Sequence, residues 1–516
     1  MKNLKYLVFV LLSMFIVTVN VDAIANESDL LSCLAGSDEV CTLSSDLTTS
    51  SEITLDSNRK VAIDLSGKTL NLGGRINVTD GASLTIKGNG EVVTSATTYM
   101  FNVTYGSTLI LENGKFTNTS YQSIVIAVTG SSSDAADLAK TTVEVKDAAT
   151  LSGNYGIFIR NAGNNASYGV VVNYSGDFKG ITNNNGYNSG SVGITTNGNI
   201  KATNGNVPVV NITGGSIKTV EGISGNVNSD DAPAIYAAGY AVWNISGGLI
   251  EGSEALSIKS GEFNITDATL KAFGKYANPA AEYGNGSEAT GAAISVTGSK
   301  GYEGAVKVTV SNTDVISKNG NAVYEGIAVD SAGNKSVNNS ALVNKGIKIT
   351  SGTFVSAEGK DTIAIEKDEK EFISGGEFSS KVDNSLLASN IESSKLEDGS
   401  YVIGEKHKIN VSDVTNGTVK ADKETAIQGE TVTLTVTANE GYKVKSVTAN
   451  GVEVKDNKFV MPNKDVEVKV EFEKVTTPVV NVDTNPKTGD SILVYGIFGV
   501  IAILGLGLTL KQRRTN

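Results

Sequence analysis

The sequence predicts an all-β protein: a parallel β-helix, or solenoid of stacked coils, followed by a small β-rich module. Three observations point there. Short β-rich runs such as VAIDLSGKTLNL, RINVTDGASLTIKGNGEV and STLILENGKF recur from about Thr42 to Ile403, each closed by Gly, Asn or Asp. A degenerate phrase returns as NITGGSI from Asn211, NISGGLI from Asn244, ITSGTF from Ile349 and ISGGEF from Ile373, which sets Gly352 and Gly376 one coil's length apart. The composition, with 56 Gly against 6 Pro and few aromatics, suits strands joined by tight turns.

The first element is an export signal at residues 1–25. Lys2 and Lys5 precede an apolar run from Leu7 to Val19, and Ala23 and Ala25 supply a small-x-small pattern that places cleavage after Ala25. An uncleaved N-terminal anchor is the alternative, because the run is only slightly short of a membrane span.

Residues 26–45 are expected to cap the solenoid, whose open end would otherwise expose strand edges. They hold the only two cysteines, Cys33 and Cys41. An exported location favours a disulfide between them over free thiols or metal ligation, since no His lies nearby.

Residues 46–403 carry the solenoid itself, in which each strand pairs with its equivalent in the next coil and apolar residues stack inward. At ~24 residues per coil the segment gives ~15 coils, a rod of ~70 Å at the ~4.8 Å strand spacing. The polar stretch Ser379–Glu397 is the second cap candidate. Segments beginning at Ser131, Gly225, Lys275 and Asp330 break the rhythm and read as loops standing out from the coil.

Residues 406–474 change character, with more Lys and Glu, alternating strands such as TVTLTVTA and DVEVKVEFE, and hairpin signals at Asn416-Gly417 and Asn450-Gly451. Residues 475–484 form a tether. The chain ends in NPKTG at 485–489, an uncharged apolar run at 492–510, and Lys511, Arg513 and Arg514, all within a 485–516 sorting segment. A helix over that run would reach ~28 Å and cross a bilayer, with the basic tail cytoplasmic.

Three resemblances attach to these segments. DLSGKTL from Asp64, the following INVTDGASLTI, and the closing stretch from Gly375 resemble the pectate-lyase-like right-handed β-helix. Gly441, Tyr442, Asn450, Gly451, Phe459, Met461, Pro462 and Phe472 carry a pattern similar to the divergent B repeats of internalin-type surface proteins. That resemblance implies a compact β-rich, β-grasp-like unit used as spacer or contact module. Asn485, Pro486, Lys487, Thr488 and Gly489, with the span and basic tail, resemble a sortase sorting signal, although Asn485 replaces the usual Leu. The resemblance implies that a sortase attacks the Thr488 carbonyl and transfers the chain to peptidoglycan, leaving membrane contact only through the C-terminal segment before sorting.

Charge and residue inventory narrow the functions. The formal charge is −12, and removal of the signal and tail makes the mature chain more acidic. With Arg59, Arg75 and Arg160 as its only remaining arginines, it cannot neutralise a run of phosphates, so nucleic acid is excluded as a partner. The one histidine, His407, falls at the module junction, which leaves none for a Ser-His-Asp or Cys-His arrangement on the coils or for a multi-histidine metal site. No cofactor or metal is expected, and no ordered calcium-loop motif occurs.

Glycoside hydrolysis needs only two carboxylates, for which Asp230 and Asp231 are the conspicuous adjacent pair, although SDDAP reads as a turn. Tyr155, Tyr168, Tyr174 and Tyr187 gather in a Gly/Asn-rich region and offer rings for sugar stacking or for core filling. The Asn-x-Ser/Thr triplets at Asn77, Asn102 and Asn211 read as solvent-facing or ladder-forming positions. The expected function is a Gram-positive wall-anchored adhesin or contact protein for glycans or host proteins, and not an enzyme. A surface polysaccharide lyase or hydrolase and a passive stalk are the alternatives.

Overall fold

A computed structural model describes residues 23–182, 190–221, 232–275, 290–298, 306–327, 346–365 and 371–476. Asp230, Asp231, Tyr187, most of the signal segment and everything from residue 477 onward, including the sorting motif, lie outside them. Among the described residues no helix is long and apolar enough to cross a membrane.

Period-two patterning decides the strands. In Lys60–Asp64 the side chains of Val61 and Ile63 are buried while their neighbours are not, and the same alternation recurs in Ser83–Lys87 and Val306–Ser311. Each strand pairs in parallel with the equivalent strand one coil later, so the chain builds a 23-stranded sheet and an 11-stranded sheet. Two ladders run through the larger sheet, fused where the long strands Thr108–Asn118 and Thr141–Gly153 pass through both. The result is a β-helix-like solenoid with three faces per coil.

Stacking follows the register. The inward column Val145, Tyr174, Ile212, Ile245, Ile265, Val310 and Ile349 is continuous from coil to coil. Trp243 and Phe263 stack at 5.4 Å between centroids, and Phe354 and Phe378 at 4.8 Å. One buried apolar cluster therefore extends from Ile24 to Ile403.

The repeated NITGG and NISGG phrases now have a physical meaning. Ile212 and Ile245 point inward, whereas Asn173, Asn211, Asn244 and Asn264 form an outward ladder of amide hydrogen bonds at 2.9, 2.9 and 3.1 Å. Gly215 holds φ +69°, and a Cβ there would run into the Gly176 carbonyl oxygen, so only Gly turns this corner.

The coil count differs from the expected ~15, because the third face contains 11 strands. Excursions lengthen some coils unevenly: the coil from Ile235 to its partner Leu256 is short, whereas the coil from Ile194 to its partner Ile235 takes nearly double that length of chain. Eleven coils at ~4.8 Å give a stack of ~50 Å.

Both ends are closed. Helix Glu27–Ala35, with Asn26 as N-cap accepting from the Asp29 N–H, sits at the first coil, and Cys33 and Cys41 form a disulfide. Strand Val40–Thr42 already pairs with Lys60–Asp64, so the stack begins inside the expected cap. At the far end Tyr401–Gly404 runs antiparallel to both Gly376–Phe378 and Glu392–Lys395, ending the parallel ladder.

The C-terminal module has two small sheets around a core of its own, with Ile409, Val466 and Val468 from one meeting Val432 and Leu434 from the other. No helix lies in it, so the β-grasp-like expectation, which needs a helix across the sheet, is not met. Asn450 and Gly451, both at positive φ, join Tyr442–Ala449 to Val452–Glu453 as a tight hairpin. Asn416-Gly417 instead opens a strand, and Gly417 is required there because a Cβ would run into the Phe472 ring.

Candidate functional site

The third face turns one column of side chains outward. Asn77, Asn102, Ala127 and Phe158 occupy it in successive coils, followed by Thr195, Tyr236, Ser257, Ser295 and Tyr324. Its two halves differ in chemistry.

In the first half, Arg75 and Glu52 form an ion pair at 2.7 Å, and Asn77 donates to Glu52 at 3.2 Å. The Arg75 guanidinium beside Glu52 holds its carboxyl below the usual range. Asn102 donates to Asn77 at 3.0 Å, extending the network by one coil. Tyr99 lies beside it, with the guanidinium carbons of Arg75 and Arg160 5.9 and 5.2 Å from its ring centroid. Among the described residues Arg160 has no carboxylate partner. Two of the three arginines among the described residues thus converge on one aromatic ring, on the surface of an acidic chain. A ring face, guanidinium donors, amide groups and a carboxylate side by side can stack on a pyranose and bond its hydroxyls.

In the second half Thr195, Ser257, Ser295 and Tyr324 are buried and Tyr236 is half-buried. Ser257 and Ser295 are fully covered, and Glu254 and Lys259 lie beside them with 0 and 2 % exposure. Glu254 accepts from the Thr290 and Gly291 N–H groups at 2.8 and 3.0 Å and from the Ser253 hydroxyl at 2.8 Å. It therefore ties the coil to the point where the chain returns after residues 276–289. Lys259 donates to Thr297 at 3.1 Å. These buried polar side chains hold the coil edge in place.

The residues singled out from sequence scatter. Arg59 donates to the backbone carbonyls of Leu34, Cys33, Asp38 and Lys60, fastening the cap helix to the stack. Tyr174 is a core residue whose hydroxyl donates to the Ser216 carbonyl at 3.3 Å, and burial pushes its pKa well up. Tyr155 is half-buried beside Phe158, its hydroxyl raised by burial, and Tyr168 lies in a bridge to Ser131. His407 is the second residue of the module's first strand, Lys406–Val411, and bonds Asn463 at 2.8 Å. Among the described residues no three His, Cys, Asp or Glu side chains gather as a metal site. A cleft of about 580 Å³ lies between the last coils and the module, lined by the turns at Gly352, Gly376 and Gly429. No group of titratable side chains converges in it.

The sequence missed Tyr99, yet a signal existed. NVTDG from Asn77 and NVTYG from Asn102 repeat at an interval of one coil, which sets the two Asn residues one above the other.

Fold and surface together define an all-β protein made of a coil stack and a small terminal module. Residues 407–476 match the family model of the divergent InlB B-repeat domain, a module that suggests a surface-associated protein. No curated protein and no solved structure matches the chain.

Proposed function

We propose that this chain is a contact protein of a Gram-positive surface, a non-catalytic adhesin for glycans whose binding face is the Tyr99 platform. The B-repeat match at 407–476 is the observation that carries surface association, and the ring-and-guanidinium cluster supports the glycan reading. On this reading the N-terminal segment directs export. A sortase then recognises Asn485, Pro486, Lys487, Thr488 and Gly489 and joins Thr488 to peptidoglycan. The module and the 475–484 tether space the solenoid from the wall. The coils are read as a right-handed, pectate-lyase-like β-helix, the hand that parallel crossovers nearly always take.

The test uses protein released from the wall by a muramidase, passed over a panel of host and plant polysaccharides. Retention and newly formed reducing or unsaturated sugar ends are measured in the same samples. Retention without new ends, lost in Tyr99→Ala, is expected, whereas new sugar ends would replace the adhesin reading with the lyase or hydrolase one. Retention unchanged in Tyr99→Ala would remove the platform from it. Thr488→Ala is expected to move the protein from the peptidoglycan fraction to the membrane or medium, and unchanged wall attachment would overturn the sortase step.

A further inference from the structure

Ile24 belongs to the fold. It is 2 % exposed and sits in parallel register with Leu43 at the bottom of the core. Its N–H donates to the Thr42 carbonyl at 3.0 Å, and its carbonyl accepts from the Ser44 N–H and the Ser44 hydroxyl, both at 2.9 Å. Leu43 above it donates in turn to the Asp64 carbonyl, so Ile24 is the lowest layer of a column that continues through Leu43 into Leu65. Ala25 is also engaged: its carbonyl accepts from the Ser45 hydroxyl at 3.3 Å, and its N–H points to the Asp29 carboxylate at 3.4 Å. Ala23, by contrast, is exposed.

Cleavage after Ala25 would remove the bottom layer, strip Leu43 of its cover and leave the Ser44 N–H without its acceptor. The sequence offers another small-x-small pair just upstream, Val21-Asp22-Ala23. From these contacts we infer that the processing site of this chain is the Ala23–Ile24 bond, and that the mature protein begins at Ile24. Hydrolysis there frees the Ile24 α-ammonium, which still donates to the Thr42 carbonyl, so no contact of the described cap is lost. Recognition and folding then agree: the small residues needed by the peptidase end where the core starts.

The inference rests on the export reading, and the experiment separates the two. The full chain is expressed in a Gram-positive host, and its N-terminus is read by mass spectrometry of the surface fraction. A start at Ile24 is expected, while any other new start, Asn26 above all, overturns the inference with export intact. A surface chain that keeps Met1 overturns the inference in favour of the uncleaved anchor, and absence of the chain from the surface fraction overturns the export reading as well. Ala25→Gln disables the site after Ala25 at an exposed position while leaving Val21 and Ala23 in place. It should be processed to Ile24 as efficiently as wild type, and accumulation of its precursor would overturn the inference independently.

Discussion

Glu430 joins the module to the solenoid through one carboxylate. One oxygen accepts from the Lys423 ammonium at 2.8 Å and from the Ser394 hydroxyl at 2.8 Å, and the other accepts from the Ile427 N–H at 2.6 Å. Lys423 and Ile427 belong to the module, whereas Ser394 lies in the hairpin that closes the coil stack. The Glu430 side chain is 10 % exposed and that of Lys423 34 %. Glu430→Ala leaves the Ile427 N–H buried without an acceptor and the Ser394 hydroxyl without its partner, while Lys423 can return to water. The sum is about 2–4 kcal/mol. Glu430→Gln keeps an acceptor for Ile427 but puts an amide NH2 where Lys423 and Ser394 found an oxygen, so Lys423 returns to water and Ser394 accepts in place of donating, for about 1 kcal/mol.

Scanning calorimetry reads both. Across a module of this size 1 kcal/mol corresponds to roughly 4–8 °C, so Ala should lower the module transition by about 8–32 °C and Gln by about 4–8 °C. Burial opposes ionisation of Glu430, but the bonds from Lys423, Ile427 and Ser394 outweigh it and hold its pKa below the ordinary value. Because the folded value is the lower one, the ionised carboxylate stabilises above the unfolded pKa of about 4.3, and that contribution is lost as pH falls through the folded value. The gap between wild type and Gln should be constant from neutral pH to about 5 and close in stronger acid. Equal shifts for Ala and Gln, or a gap that persists in acid, would refute the carboxylate's role.

The other predictions concern the stack. Replacing Cys33 and Cys41 together by Ser should cost the cap about 2–3 kcal/mol on the chain-entropy model, seen as faster amide exchange around Ile24 and Leu43 with the central coils unchanged. Trp243→Ala empties a fully buried site stacked on Phe263, for about 3–5 kcal/mol in denaturant unfolding followed by circular dichroism. Asn244→Ala breaks the amide ladder at a member bonded on both sides, at about 1 kcal/mol by the same measurement, without change in the coil spectrum.

What could be read from sequence follows from which interactions are periodic. The NITGG phrase announces its coil because Ile212 must face inward and Asn211 outward, and the same rule holds for Ile245 and Asn244. The hairpin at Asn450-Gly451 is equally local, since both residues need positive φ. The coil number was overestimated because an excursion adds residues without adding a layer, as between Ile194 and Ile235. The Tyr99 platform was hidden for the same reason. Arg160 and Tyr99 are two coils apart in the chain, and the register stacks Arg160 over Thr129 and Thr104 rather than over Tyr99, so the guanidinium reaches the ring across the strands and not along one column. Those two coils differ in length, so no fixed repeat in the sequence carries the register. Tyr155, Tyr168 and Tyr174 disperse because Tyr155 and Tyr174 lie on strands of different faces with Tyr168 in the turn between them, and Tyr174 takes an inward position of its strand.

The position of the platform bears on the choice between a contact protein and a passive stalk. Tyr99 stands on the third of 11 strands of its face, near the N-terminal end, while the module and the sorting segment follow the C-terminal end. Under the proposed anchoring, eight further coils put ~40 Å of rod between Tyr99 and the last coil, with the module beyond it. A stalk needs capped ends and a continuous core, and Arg59 at the cap and the Asn ladder along the side serve those needs. It does not need a half-exposed guanidinium without a carboxylate beside an aromatic ring, because such a pair adds only about 0.5–1 kcal/mol to stability. Under that same proposed anchoring, Arg160 falls on the outward half of an acidic rod, where a ligand bearing hydroxyls or negative charge would meet it before reaching the wall.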